Sequence, residues 1–127
     1  MTITWMTYLF IAIGGALGAC LRFFANVTVT ETFGKSLPYA TLGVNVLGSF
    51  CLGLAFAWFS DNTNINNDVK LMITVGLLGA FTTFSTFSLE VFLYLQEGDW
   101  IRAFATILLN VCLCLVAVWC ALSIMKG

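Results

Sequence analysis

Charged side chains punctuate this sequence sparsely, and the stretches between them are long and apolar. Residues 1–21, 36–60, 71–89 and 103–125 carry no charge. About 20 helical residues, at 1.5 Å each, cross the roughly 30 Å hydrocarbon core of a bilayer. Each block therefore predicts one spanning helix, near 5–25, 38–60, 70–96 and 101–125. The connections are short and polar, as in Ser60-Asp61-Asn62-Thr63-Asn64. Pro38 fits the first turn of the second helix, where a missing N–H costs little. The first block has no basic front end and runs through a Gly-rich centre into Arg22, so it reads as a span rather than a cleaved signal peptide. The expected architecture is an all-α membrane protein, one four-helix transmembrane domain over 1–127.

Composition turns that pattern into a requirement. Hydrophobic residues make up 61% of the 127 residues and charged residues 9%, against about half and about a quarter in soluble domains. A globule of this size leaves roughly a third of its chain surface in contact with its surroundings, so much of this apolar surface must face lipid. A net charge of −1 with five scattered Lys and Arg offers no footprint for nucleic acid. Histidine is absent, which removes the imidazole base and His-type metal sites. Cys20, Cys51, Cys112, Cys114 and Cys120 lie inside apolar stretches without CxxC spacing and read as small hydrophobes. No residue set suggests ATP binding or covalent catalysis, so an enzyme is not expected.

Four spans put both termini on one side of the bilayer. Lys70 and Lys126 fall on that side, and Arg22, Lys35 and Arg102 on the other. Lys/Arg bias is what fixes orientation, and here it is nearly balanced. Two readings stay open: one orientation with a weak bias, or insertion both ways with pairing as an antiparallel dimer. Four helices enclose little space, so a dimer is expected in either case.

Each span carries a polar or small-residue face. In the first, Gly14 with Gly18 and Gly15 with Ala19 are small residues four apart, a packing face for a close neighbour. Arg22, one turn on, is either an interfacial anchor or the wall of a wet vestibule. In the second, Thr41, Asn45 and Ser49 form a stripe that Gly48 keeps open. The stripe serves interhelical hydrogen bonding or lines a pore, and the Asn45 amide offers two donors to an anion. The third span reads Gly79-Ala80-Phe81-Thr82-Thr83-Phe84-Ser85-Thr86-Phe87-Ser88. Hydroxyls and glycines crowded there predict a helix broken in mid-membrane, whose freed carbonyls need a cation or a cavity. Phe84 and Phe87 share a face, and the positive edges of their rings suit a small anion. Glu90 is an acid inside an apolar span and thus a candidate functional group. In the fourth, Thr106, Asn110 and Cys114 form a weaker track, or Thr106 bonds back to its own helix.

Together these residues resemble the bacterial fluoride channels, the Fluc (CrcB) family, along essentially the whole chain. The segment Gly79–Ser88 is close to the family's GGxTTFSTFS signature. Thr41-Leu42-Gly43-Val44-Asn45 with Gly48-Ser49-Phe50 is similar to its TLxVNxxGSF pattern, and Gly14-Gly15, Gly18-Ala19 and Arg22 to its GGxxGAxxR opening. The resemblance implies a passive fluoride channel of a bacterial inner membrane that lowers cytoplasmic fluoride. It implies an antiparallel dual-topology homodimer with two pores lined by both subunits. By position, Phe84 and Phe87 match the family's Phe box, Asn45 its pore asparagine, Arg22 its vestibule arginine and Glu90 an acid beside the pore. Thr83, Ser85, Thr86, Thr41 and Asn110 would line the ion path. Gly79 and Thr82 match residues whose backbone carbonyls hold a structural sodium ion at the dimer centre. Thr106 and Asn110 stand where the family often has Tyr or Ser, and Ala40 where glycine is common.

A bare fluoride ion in apolar surroundings would cost tens of kcal/mol on Born estimates, so donors must replace its water along the path. Conduction further requires several moderate sites rather than one deep trap. The alternative is a proton-coupled small multidrug exporter of similar size, which needs an acid in the first helix. Residues 1–21 hold none.

Overall fold

In the computed structural model, which describes residues 2–34 and 39–126, the elements are helical. Lys35 and Pro38 lie outside the described residues. Four helices are long and apolar enough to cross a membrane: α1 (Trp5–Phe33), α2 (Tyr39–Asp61), α3 (Asn67–Gln96) and α4 (Trp100–Lys126). Long hydrophobic side chains cover their outer faces, among them Leu17, Phe56, Leu108 and Trp119. This is the inverse of a soluble bundle and suits a lipid surround.

Helix α1 runs well past the apolar block that announces it. Its 29 residues span about 43 Å, and Arg22 sits within that length rather than at its end. Beyond Arg22 the residues Phe23, Phe24, Val27 and Val29 remain apolar, and Thr32 donates its hydroxyl to the Thr28 carbonyl at 2.8 Å. Thr32 thus bonds within the helix instead of ending it. Gly34, at φ 87°, stops it and returns its N–H to the Thr30 carbonyl. At the other termini, the Asn66 side chain accepts the Asp68 N–H at 2.7 Å and Asp99 accepts the Arg102 N–H at 3.1 Å, each taking up an otherwise orphan donor.

Helix α3 is the irregular element. After an α-helical start (Asn67–Leu71) it widens into a π-helix over Met72–Leu78, returns for one turn (Gly79–Phe81), and resumes at Ser85–Gln96. Between the last two pieces Thr82 is extended, at φ −85° and ψ 162°. The two halves have different neighbours: the π segment packs on α1, and Ser85–Gln96 packs on α4. Residues 82–84 are therefore where the span crosses from one neighbour to the other.

Small residues set the α1–α3 contact. A methyl group on Gly14 or Gly18 would overlap the carbonyl oxygens of Met72 or Leu77, and one on Gly76 would meet the Ile11 carbonyl at 2.5 Å. The small-residue face read from the sequence is thus spent inside the chain. Helix α2 packs chiefly on α4, where Gly53 faces Ala121. Phe87, Val91 and Ala103 form a small buried cluster joined by Tyr94, Leu95 and Ile107. At the Asp68 end, Thr7 donates to Asp68 at 2.6 Å and Lys70 reaches the Phe59 carbonyl at 3.5 Å.

Candidate functional site

The interruption of α3 organises the polar residues of the chain. In an unbroken helix the Thr83 N–H would return to the Gly79 carbonyl. Here it is donated to Asn45 Oδ1 at 2.8 Å, and Asn45 Nδ2 in turn donates to the Thr83 carbonyl at 3.0 Å. One side-chain amide thus satisfies both backbone groups of one residue, as an opposing residue does in an antiparallel ladder. Asn45 Nδ2 makes a second bond of 3.0 Å to Asn110 Oδ1, and Asn110 Nδ2 donates to the Thr106 carbonyl. The two donors that the sequence offers to an anion are both engaged.

Other freed backbone groups find partners nearby. The Ala80 carbonyl, which would accept from Phe84 in a continuous helix, accepts from Arg22 Nε at 2.9 Å. The Thr86 N–H goes to Thr83 Oγ1 at 3.2 Å, so Thr83 caps the second half of α3. The Thr82 hydroxyl donates to the Leu78 carbonyl at 3.1 Å. With Thr83 and Thr86 donating elsewhere, the Gly79 and Thr82 carbonyls lack their usual helical donors. Carbonyl oxygens are the ligands a hard cation prefers, and among the described residues no His, Cys, Asp and Glu group competes for one. This donor set fits a sodium ion in chemistry, although two oxygens of one chain make only part of a coordination shell.

Two openings flank Thr83. One, of about 90 Å³, is lined by Arg22, Asn26, Thr41, Thr83 and Thr86. The other, of about 230 Å³, is lined by Asn45, Gly48, Gly79, Thr82, Thr83 and Phe84. A third, of about 200 Å³, lies along α4 beside Tyr39, Arg102, Thr106 and Asn110. At the second opening a Cβ on Gly48 would overlap the Thr82 methyl, so any larger residue there would have to displace the Thr82 side chain.

Phe84 and Phe87 touch edge to face, with centroids 5.3 Å apart at 62°. Their settings differ: Phe87 is buried, 7% exposed, whereas Phe84 is 76% exposed. Ser85 is exposed and Ser49 half-buried. Thr41, itself buried, donates to Glu90 Oε2 at 2.8 Å. The second carboxylate oxygen, Oε1, is buried without a partner among the described residues.

The structure therefore brings Asn45, Thr83 and Asn110 into one network, Thr41 and Glu90 into a pair, and Arg22 to the interruption. Phe84 closes the interruption, and Ser85, Phe87 and Glu90 follow on the resumed half of α3. Sequence reasoning missed Asn26 and the Ala80 carbonyl. The spacing of Asn26 from Arg22, four residues on one helical face, was a usable signal; the carbonyl left no trace in residue type.

A family model described as CrcB-like protein, Camphor Resistance (CrcB), matches residues 9–122. The fluoride-specific ion channel FluC of Alteromonas mediterranea is 49% identical over 120 residues, covering 94% of each chain. The FluC proteins of Shewanella loihica and Shewanella woodyi are 45% and 43% identical over 111 residues, covering 87% of this chain and 89% of theirs.

Proposed function

This chain belongs to the CrcB-like family, and on that premise we propose that it is a fluoride-specific ion channel, a multi-pass protein of a bacterial inner membrane rather than an enzyme. The observation that carries the reading is the FluC relative that is 49% identical across 94% of both chains. The geometry supplies physical support. An interrupted helix lies beside hydroxyls, an arginine and an exposed aromatic edge, all within a bundle whose exterior is apolar.

In this reading Arg22 attracts the anion to the opening it shares with Thr41, Thr83 and Thr86. The path continues past Asn45 and Ser85 to the ring edges of Phe84 and Phe87, with Asn110 on its inner wall and Glu90 beside it. Fluoride sheds water only where donors replace it. Asn45 Nδ2 serves by exchanging one of its carbonyl acceptors for the ion, and Thr83, Ser85 and Thr86 by turning their hydroxyls. Ring edges carry positive potential without a full charge, so the aromatic step binds moderately and lets the ion leave. Flow is passive and lowers cytoplasmic fluoride.

Two copies in antiparallel orientation would complete the pathways. The 76% exposure of Phe84 leaves one face of the aromatic pair for the second copy to cover, and the balanced Lys/Arg distribution permits both insertions. The Gly79 and Thr82 carbonyls of both copies would hold a sodium ion between them, which supplies the positive charge those oxygens lack.

The test is fluoride efflux from liposomes holding the purified protein. Rapid loss in the native protein, abolished by Phe84→Ile and Phe87→Ile, is expected. Retention of fluoride by well-folded protein would refute the reading.

A further inference from the structure

We propose that Asn110 is a positioning residue that sets the anion affinity of Asn45 by withholding one of its two amide hydrogens; this rests on the reading of the chain as a fluoride channel. Asn110 is 5% exposed, and its own amide is pinned by the bond from Nδ2 to the Thr106 carbonyl at 3.0 Å. That bond turns Oδ1 toward Asn45, whose Nδ2 lies 3.0 Å away. The orientation of the Asn45 amide is settled independently, because its Oδ1 accepts the Thr83 N–H at 2.8 Å. The network therefore admits one arrangement: Asn110 presents an acceptor, and Asn45 spends one hydrogen on it and one on Thr83.

An anion reaching Asn45 must take a hydrogen from one of those two carbonyls. The Thr83 contact is one half of a reciprocal pair, and breaking it loosens the turn at 82–84. The Asn110 contact is a single bond at the far side of the amide and is the one that yields. A bond to an ion is about twice as strong as a neutral one, so fluoride displaces Asn110 Oδ1, and its net gain is the difference. Asn110 itself presents a carbonyl oxygen to this site, which repels an anion. Its place is behind the donor, and the weakening it imposes helps to keep the site shallow, as conduction requires.

The experiment measures initial fluoride efflux from liposomes against internal fluoride concentration, for native protein, Asn110→Leu and Asn110→Ala. Leucine and alanine carry no polar side-chain atom, so both substitutions remove the competing acceptor. The half-saturating concentration is expected to fall about tenfold, the equivalent of roughly one hydrogen bond, with a lower maximal rate because the ion leaves more slowly. A merely structural role would lower the amount of active protein and leave half-saturation where it was. Unchanged or raised half-saturation in a folded variant overturns the proposal while native flux leaves the channel reading intact. Should Asn110→Leu not yield monodisperse protein, the smaller Asn110→Ala decides. Native protein without fluoride flux overturns the channel reading and this proposal together.

Discussion

Replacing Asn45 by leucine removes the side chain that holds the interruption of α3, and the cost follows from the bonds it makes. Three hydrogen bonds end on that amide: from the Thr83 N–H, to the Thr83 carbonyl and to Asn110. Side-chain hydrogen bonds in membrane bundles average about 0.6 kcal/mol and reach about 1.7. Three of them give about 2 kcal/mol, with a ceiling near 5. Two of the orphaned partners are backbone groups in an apolar surround, which favours the upper half of that range. Asn110→Leu loses two bonds and should cost less. The assay is equilibrium unfolding in mixed micelles with increasing dodecyl sulfate, read by tryptophan fluorescence. Amide exchange then localises the change: the Thr83 N–H should be protected in the native protein and exchange freely in Asn45→Leu. An Asn45→Leu protein within about 0.5 kcal/mol of native, the range of substitutions that touch nothing, with Thr83 still protected, would refute this reasoning.

Other perturbations probe separate parts of the fold. Gly18→Val drives a side chain into the Leu77 carbonyl and should destabilise by about 1–3 kcal/mol. Gly43→Ala, with open space around it, should be neutral or stabilising by up to about 1 kcal/mol; the same unfolding titration separates the two. Arg22→Leu leaves the Ala80 carbonyl without its donor and should cost about 1–3 kcal/mol. It should also lower fluoride flux at low concentration, whereas Arg22→Lys keeps the charge and most of that flux. Phe84→Ile, at an exposed position, should leave the folded subunit as stable as native while abolishing flux, so that loss of stability in step with flux would argue against a role for the ring in the ion path.

The four spans were legible because lipid imposes one rule, long uncharged runs, that needs no knowledge of tertiary structure. The full extent of α1 was not, since the span read from the sequence ends near residue 25 while the helix continues to Phe33 past Thr32, whose hydroxyl bonds to the Thr28 carbonyl. The value of Asn45 as an amide donor could be read from residue type. That its hydrogens go to Thr83 and Asn110 depends on the register of three helices, which no local pattern carries. The residue types of Met72–Leu78 do not mark its widened turns; its carbonyls meet Gly14 and Gly18, its Gly76 meets the Ile11 carbonyl, and these glycines hinted only at the closeness. Phe84 and Phe87 were legible as a pair, but not the burial of one and exposure of the other, which the crossover of α3 from α1 to α4 produces.

The most direct test of fluoride conduction is the reversal potential of the current through a planar bilayer containing the purified protein, with opposed fluoride and chloride gradients. A fluoride-selective passive pore should reverse at the fluoride equilibrium potential and stay there when a pH gradient is imposed. Reversal near the chloride potential would contradict selectivity, and a reversal that follows the pH gradient would point to proton-coupled transport instead.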